Sequence, residues 1–270
     1  MLATVTQLNG QIGARIDGLN FVQGLSEPDY ELIAQTLAKH HAVCLAAAEM
    51  TPEQHLALAR YFGEPEHHDF FNNLGPGLEY VTVLDSQKGD RADMWHTDEQ
   101  YLSNPPAFTF THAKLLPDFG GDTAFISLCA AFESLSPRMK AYLEGLTALH
   151  DYAKIAEVSR QFGFGDHETV GGAFASGKHA SHPLVRRHET SGRQAIFVSP
   201  TYTRYVEGVP PAESATILAF LFQHLMRPEF QYRHRWQEGD LMIWDNRCTL
   251  HYAVNDYDTP RRMHRISVMV

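Results

Sequence analysis

From Gly63 onward the chain mostly repeats apolar character at every second residue, and this period constrains its fold more than any other feature. The runs LEYVTVL, AFTFTHA, QAIFVS, DLMIWD and RISVMV are short, rich in β-branched and aromatic residues, and separated by clusters of Gly, Pro and Asn. Such runs predict strands. Helices are predicted at four places. Ser26 caps one and Thr51-Pro52 opens another that stops at Gly63, with the apolar run AVCLAA as a strand between them. A third starts at Ser136-Pro137, and AESATILAFLFQHLM shows an apolar face at helical spacing. No βαβ rhythm is present, so the expected class is mainly β with flanking α-helices, a sandwich or barrel packed by helices from outside.

No internal repeat or interdomain linker interrupts the sequence, and residues 1–270 read as a single domain. The stretch from Ile155 to Leu184 is rich in Gly, His, Ser and charge and is predicted to be a long loop; a loop of that length in a compact domain usually has a function. The formal net charge is −10 and Lys and Arg form no long run, which argues against nucleic acid or anionic lipid as partners. Small molecules are the expected ligands. The N-terminus lacks a basic segment followed by an apolar one, and no run approaches the roughly 18 apolar residues of a spanning helix. The expected location is cytoplasmic. Cys44, Cys129 and Cys248 are too widely spaced for a CxxC site and are expected to be buried thiols.

The segment MWHTDEQY, Met94 to Tyr101, carries the first candidate chemistry. At a strand end, residues two apart share a face, so His96 and Asp98 would project together and chelate one ion. An imidazole and a carboxylate supply two of the three ligands of the facial triad in non-haem iron(II) oxygenases. In a chain with 16 histidines an H-x-D triplet also arises by chance, so the triplet alone leaves ligation and coincidence both open. DLMIWDNRCTLHYAVNDYDTPRRMHRISV supplies a partner in His251 and a cluster of arginines at Arg261, Arg262 and Arg265. A guanidinium there suits a carboxylate bidentately. Equally, His251 could be a core histidine and the arginines a solvated cationic face.

Together these segments carry more information than either does separately. WHTD, then PPAFTFTHAKLLPDFGGDTAFIS, then WDNRCTLHYAVNDYDTPRRMHR, in this order and at these separations, resemble the taurine dioxygenase (TauD/TfdA) family of iron(II)- and 2-oxoglutarate-dependent dioxygenases. IGARIDGL, LARYFGEPE and HPLVRRHETSGRQAIFVSPTYTRYVEG extend the resemblance over nearly the whole chain. It implies a double-stranded β-helix, or jelly-roll core, and an enzyme that uses iron(II), 2-oxoglutarate and O2.

By the resemblance, His96, Asp98 and His251 are the iron ligands. The retained acidic ligand Asp98 implies hydroxylation rather than halogenation. Thr123 of GGDT matches a threonine that meets the distal carboxylate of 2-oxoglutarate. The matching arginine is Arg262 by forward count from His251, or Arg261 by backward alignment along the last strand. Strand parity favours Arg261, because it lies four residues before Arg265 and so on the same face, whereas Arg262 lies three before.

His68 and Arg265 resemble residues that hold a sulfonate, and Phe71 and Ala92 stand where the family has a tyrosine and an asparagine. An ammonium group facing Phe71 and Ala92 would lack a partner, which disfavours taurine. The implied substrate is a small anion with a more apolar body: an alkyl sulfonate, alkyl sulfate, phosphonate or aryloxyalkanoate, hydroxylated with succinate and CO2 as coproducts. The segment from Ile155 to Leu184 becomes a candidate lid. A tailoring hydroxylase or desaturase acting on an amino-acid-derived carboxylate is the second reading. A non-catalytic small-anion-binding β-sandwich is the third. Oligomeric state, a homo-oligomer included, is open.

Overall fold

The computed structural model describes residues 3–68, 72–88, 92–152 and 179–270. Phe71 and residues 153–178, most of the candidate lid, lie outside the described residues. The elements run β1 (Thr4–Gln7), β2 (Ala14–Asp17), α1 (Glu27–His40), β3 (Ala42–Ala46), α2 (Pro52–Phe62), β4 (Glu64–Pro65), β5 (Thr82–Asp85), β6 (Phe108–Leu115), β7 (Thr123–Ser127) and α3 (Leu128–Glu133). They continue through α4 (Pro137–Leu143), β8 (Thr147–Asp151), β9 (His179–Pro183), β10 (Val185–Arg187), β11 (Gln194–Ile196), β12 (Thr203–Val206), α5 (Pro211–Leu225), β13 (Gln231–His234), β14 (Asp240–Asp245), β15 (Thr249–Ala253) and β16 (Arg262–Met269).

Local chemistry explains the helix starts. The backbone N–H and hydroxyl of Ser26 both donate to the Asp29 carboxylate, and Thr51 accepts from the Gln54 N–H at 3.3 Å. Gly63 ends α2 at φ 152°, in a place where any side chain would strike the Met269 carbonyl. The short α3 is capped by Ser127, whose hydroxyl accepts from the Ala130 N–H at 3.2 Å, but its six residues are too few to show a helical period in the sequence. The last residues of the Ile155–Leu184 segment are not loop: His179–Pro183 pair with β8, with Ala180 and His182 buried and their neighbours exposed, and Leu184 is fully buried. Small and polar residues in HASHP hide an alternation that the pairing reveals.

The main sheet has the order β1-β2-β3-β14-β6-β16-β4, with β5 also on β16, and every pair except β2 with β3 is antiparallel. A second sheet has the order β13-β7-β15. Ala42, Cys44, Met242, Trp244 and Met263 of the main sheet meet Phe125 of the second sheet and Trp236 beside it in one buried cluster. That cluster is the interior of a sandwich. On the other face of the main sheet, Val43, Leu45, Phe110, Ile243, Ile266 and Val268 bury Ile33 and Leu37 of α1 and Leu56 and Ala59 of α2. A third cluster joins α3 and α5 to β15 through Cys129, Leu221, Leu225 and Leu250. All three cysteines are buried, as expected. Among the described residues no helix is long and apolar enough to cross a membrane.

Candidate active site

His96 and His251 face each other across a two-residue antiparallel bridge. The His96 N–H donates to the His251 carbonyl at 3.1 Å and the His251 N–H to the His96 carbonyl at 2.7 Å. The bridge brings the rings to 4.1 Å between centroids. Asp98 Oδ1 lies 3.7 Å from Nε2 of His96 and 3.6 Å from Nε2 of His251. The predicted triplet and its distant partner are thus brought together, all three buried.

The donor set suits a divalent ion. Nδ1 of His96 hydrogen-bonds the Met94 carbonyl at 2.7 Å, which places the proton on Nδ1 and turns the Nε2 lone pair toward the centre. Burial lowers both histidine pKa values, keeping the rings in the neutral form that binds metal. Burial alone would raise Asp98, but Arg265, His251, His96 and the Thr109 hydroxyl together hold it below the usual carboxylate range. Asp98 stays ionised. Thr109 donates to its Oδ2 at 2.6 Å, Asn246 donates to Thr109 at 2.8 Å, and Trp244 donates to Asn246 at 3.0 Å. This chain of bonds fixes the carboxylate with Oδ1 toward the histidines.

A second group of residues gathers on the strands beside this centre. β15 pairs with β7 so that His251 opposes Phe125, and Thr123 lies two residues from Phe125 on the same face. Thr123 is 5% exposed and accepts a 3.0 Å bond from the Trp236 indole N–H. Arg261 lies over the Trp236 ring at 5.8 Å, and its Nε is buried without a hydrogen-bond partner among the described residues. Its Cδ would meet any side chain at Gly121 at 3.1 Å, so the glycine of GGDT leaves room for the arginine. Arg262 instead points outward, with its side chain 44% exposed and paired to Asp85 at 2.9 Å. The extra residue in the β6–β16 register lies in β6, beside Lys114, so the alternation along β16 is unbroken. Arg261, Met263, Arg265 and Ser267 therefore share the sandwich face.

Arg265 approaches Asp98 Oδ1 at 3.3 Å and donates to the Ser267 hydroxyl at 3.0 Å. His68 shares that hydroxyl at 3.1 Å and is buried. Ala92 is exposed, its carbonyl accepting from the Ala253 N–H at 3.0 Å. Glu66 and Glu99, which the motif reading passed over, stand beside His68 with ligand atoms within 4.8 Å of one another. Burial, and then the charge of Glu99, push Glu66 up to about 8. Thr109 and Trp236 carry no signal in sequence, whereas Glu99 was visible directly after Asp98 and Asn246 directly after DLMIWD.

A β-sandwich on which two imidazoles and one carboxylate converge, His251 from β15 and His96 and Asp98 from the segment bridged to it, defines a mononuclear non-haem metal oxygenase. The family model for the taurine catabolism dioxygenase TauD, TfdA family matches residues 4–267. The chain is 31% identical over 275 residues to an alkylsulfatase of Acinetobacter baylyi, covering 96% of this chain and 82% of that one. It is 29% identical to an alpha-ketoglutarate-dependent 2,4-dichlorophenoxyacetate dioxygenase of Cupriavidus pinatubonensis, covering 100% of this chain and 98% of that one. The crystal structure of a taurine dioxygenase from Burkholderia xenovorans superimposes with a TM-score of 0.83 at 30% identity, covering 99% and 89% of the two chains. The chain belongs to the TauD/TfdA family, with its jelly-roll core, and is an iron(II)- and 2-oxoglutarate-dependent dioxygenase.

Proposed function

We propose that His96, Asp98 and His251 hold the iron, that Thr123 and Arg261 hold the distal carboxylate of 2-oxoglutarate, and that His68 and Arg265 receive the anionic group of a small organic substrate. The convergence of three ligand atoms on one point carries this reading. When bound, iron and 2-oxoglutarate would supply the oxidation with O2 as the oxidant, one oxygen atom ending in the hydroxyl of the substrate and the other in succinate, which 2-oxoglutarate yields together with CO2.

The protein's own part is positional. His96 and His251 offer neutral nitrogens from one bridge, and Asp98 offers a charged oxygen held by Thr109. Arg261, half-buried over Trp236 with its Nε buried and unpartnered among the described residues, suits a carboxylate better than Arg262, which already has Asp85. The Arg265 Nε is likewise buried without a partner among the described residues, a donor awaiting an acceptor. Relatives named for alkyl sulfate and 2,4-dichlorophenoxyacetate chemistry support an anionic substrate such as an alkyl sulfate, sulfonate, phosphonate or aryloxyalkanoate. Hydroxylation next to the heteroatom of a sulfate or ether gives an unstable product that releases the leaving group. A cytoplasmic location, without nucleic acid or membrane as partner, completes the reading.

Anaerobic titration with iron(II) and 2-oxoglutarate tests the site: a weak visible charge-transfer band is expected, and it should be absent in His251→Ala. Succinate release across sulfonates, sulfates, phosphonates and carboxylates tests the substrate class. No release with any anion would reject it.

A further inference from the structure

A second group of metal-binding side chains lies outside the iron ligand set, between α1, the β10–β11 turn and the start of β15. A ring nitrogen of His41, one of His188 and the Cys248 sulfur lie within 4.8 Å of one another, and all three residues are buried. The fully buried Cys129 thiol of α3 meets the Cys248 thiol. His41 follows α1 at a left-handed φ of 61°, a conformation that a residue with a side chain rarely adopts. Its backbone is held there from both sides, the N–H donating to the Leu37 carbonyl at 2.7 Å and the carbonyl accepting from the Asp245 N–H at 2.9 Å. Glycine would serve this backbone better, so the turn itself does not call for an imidazole.

Both ring nitrogens of His41 are buried without a hydrogen-bond partner among the described residues. Burial, and then the charge of Arg193, hold the ring down at about 4, so it is neutral and keeps an open lone pair. An imidazole buried with neither nitrogen satisfied is costly unless something occupies it. His188 is better provided: its Nε2 lies 2.9 Å from Asp245 Oδ2 and its Nδ1 2.7 Å from the Ser191 hydroxyl. A metal-bound histidine characteristically keeps one such partner on its other nitrogen. The nearby cations are already taken, Arg193 by Glu133 and Arg247 by Asp245. Thiolate with imidazole is a donor set of zinc. The other cysteine cluster, Cys44 with His234 and Asp240, is filled by protein: Arg15 reaches Cys44 at 3.3 Å and Asp240 at 3.0 Å, and His234 lies 3.2 Å from Asp240.

We propose that His41, His188 and Cys248, with Cys129 beside them, form a second metal site, for a zinc ion that ties α1, the β10–β11 turn and α3 to the start of β15. Burial pushes the Cys248 thiol well up, so it keeps its proton until the Zn–S bond forms and the proton leaves to solvent. Because every ligand is buried, the ion enters as the chain folds, and its binding contributes to stability rather than to turnover.

The full chain carrying His251→Ala, which disables the iron ligand set, is the parent for the test. Produced in cells supplied with zinc and then desalted, it should retain about one equivalent of zinc by elemental analysis. Produced with Co(II), it should show the near-ultraviolet thiolate-to-cobalt absorption that no iron ligand can supply. Cys248→Ser should remove that absorption, and His41→Gly, which relieves the backbone, should weaken zinc retention by about tenfold or more. Zinc should raise the melting temperature of the parent by several degrees and leave that of His41→Gly unchanged. If His41 only packs, His41→Gly instead melts higher than the parent with or without zinc, and the site is overturned. No retained zinc, no cobalt absorption, or absorption that survives Cys248→Ser and so belongs to Cys44 overturns it as well. Should either substitution prevent folding, zinc content and cobalt absorption of the parent decide the question.

Discussion

Thr109 donates a 2.6 Å hydrogen bond to Oδ2 of Asp98, leaving Oδ1 as the oxygen that faces His96 and His251. Supports of this kind orient a ligand and tune its basicity, and losing one typically weakens metal binding by about 10–100-fold. Thr109→Val, similar in shape but without the hydroxyl, should weaken Mn(II) and iron(II) affinity in that range, and Thr109→Ser should keep it. Equal affinities in a metal titration of all three proteins would show that Asp98 is oriented without the bond.

Replacing His96, Asp98 or His251 by Ala should abolish succinate formation while circular dichroism retains the strand-rich spectrum. Two ligands leave too little affinity for iron(II), which is low in the divalent-metal order. Retained turnover in one of the three removes that residue from the ligand set.

The two neighbouring arginines separate cleanly by environment. Arg261 is half-buried, with its Nε buried and unpartnered among the described residues, and Arg262 is 44% exposed in an ion pair with Asp85. Arg261→Ala should weaken 2-oxoglutarate by on the order of 2–5 kcal/mol, the loss expected for a buried charge-assisted pair. Arg262→Ala loses a pair made with Asp85 on the outward face and should leave the 2-oxoglutarate KM nearly unchanged. A larger effect at Arg262 would reverse the assignment.

A cluster of buried and half-buried histidines makes stability sensitive to acid. His112 and His264 are cross-strand partners on β6 and β16, and His55 of α2 packs edge-on against His112 at 5.8 Å. Burial, and then the nearby Lys114, hold His112 and His264 down at about 4 against an ordinary 6.5. A depressed folded pKa means that folding favours the neutral rings. Their contribution is complete above about 6.5 and is lost as pH falls toward 4, where the folded rings also protonate. The melting temperature should therefore drop by several degrees between about pH 7 and 4.5, and His112→Gln should flatten that slope. A melting temperature that does not change over this interval would sink the idea.

The class of fold was legible in the chain itself. Alternation in AFTFTHA, DLMIWD and RISVMV marks strands because side-chain period depends only on neighbouring residues, and Ser26 and Thr51 mark helix starts because capping is equally local. Parity along RRMHR likewise predicted that Arg261 and Arg265 share a face, since β16 runs without a bulge. The alternation of HASHP was not readable, because alanine, serine and histidine carry too little contrast in polarity.

Convergence required the tertiary structure. His96 meets His251 through a bridge between distant segments, and no local pattern encodes such pairing. Thr109 reaches Asp98 from β6 and is itself held by Asn246 from the turn after β14, and Trp236 links Thr123 to Arg261 from the loop before β14. Glu99 was visible in MWHTDEQY, but its charge gains meaning only when β4 delivers Glu66 and His68 beside it. Local sequence determines period, caps and ligand chemistry; long-range strand pairing decides which of those groups share one buried space, and burial decides their charge.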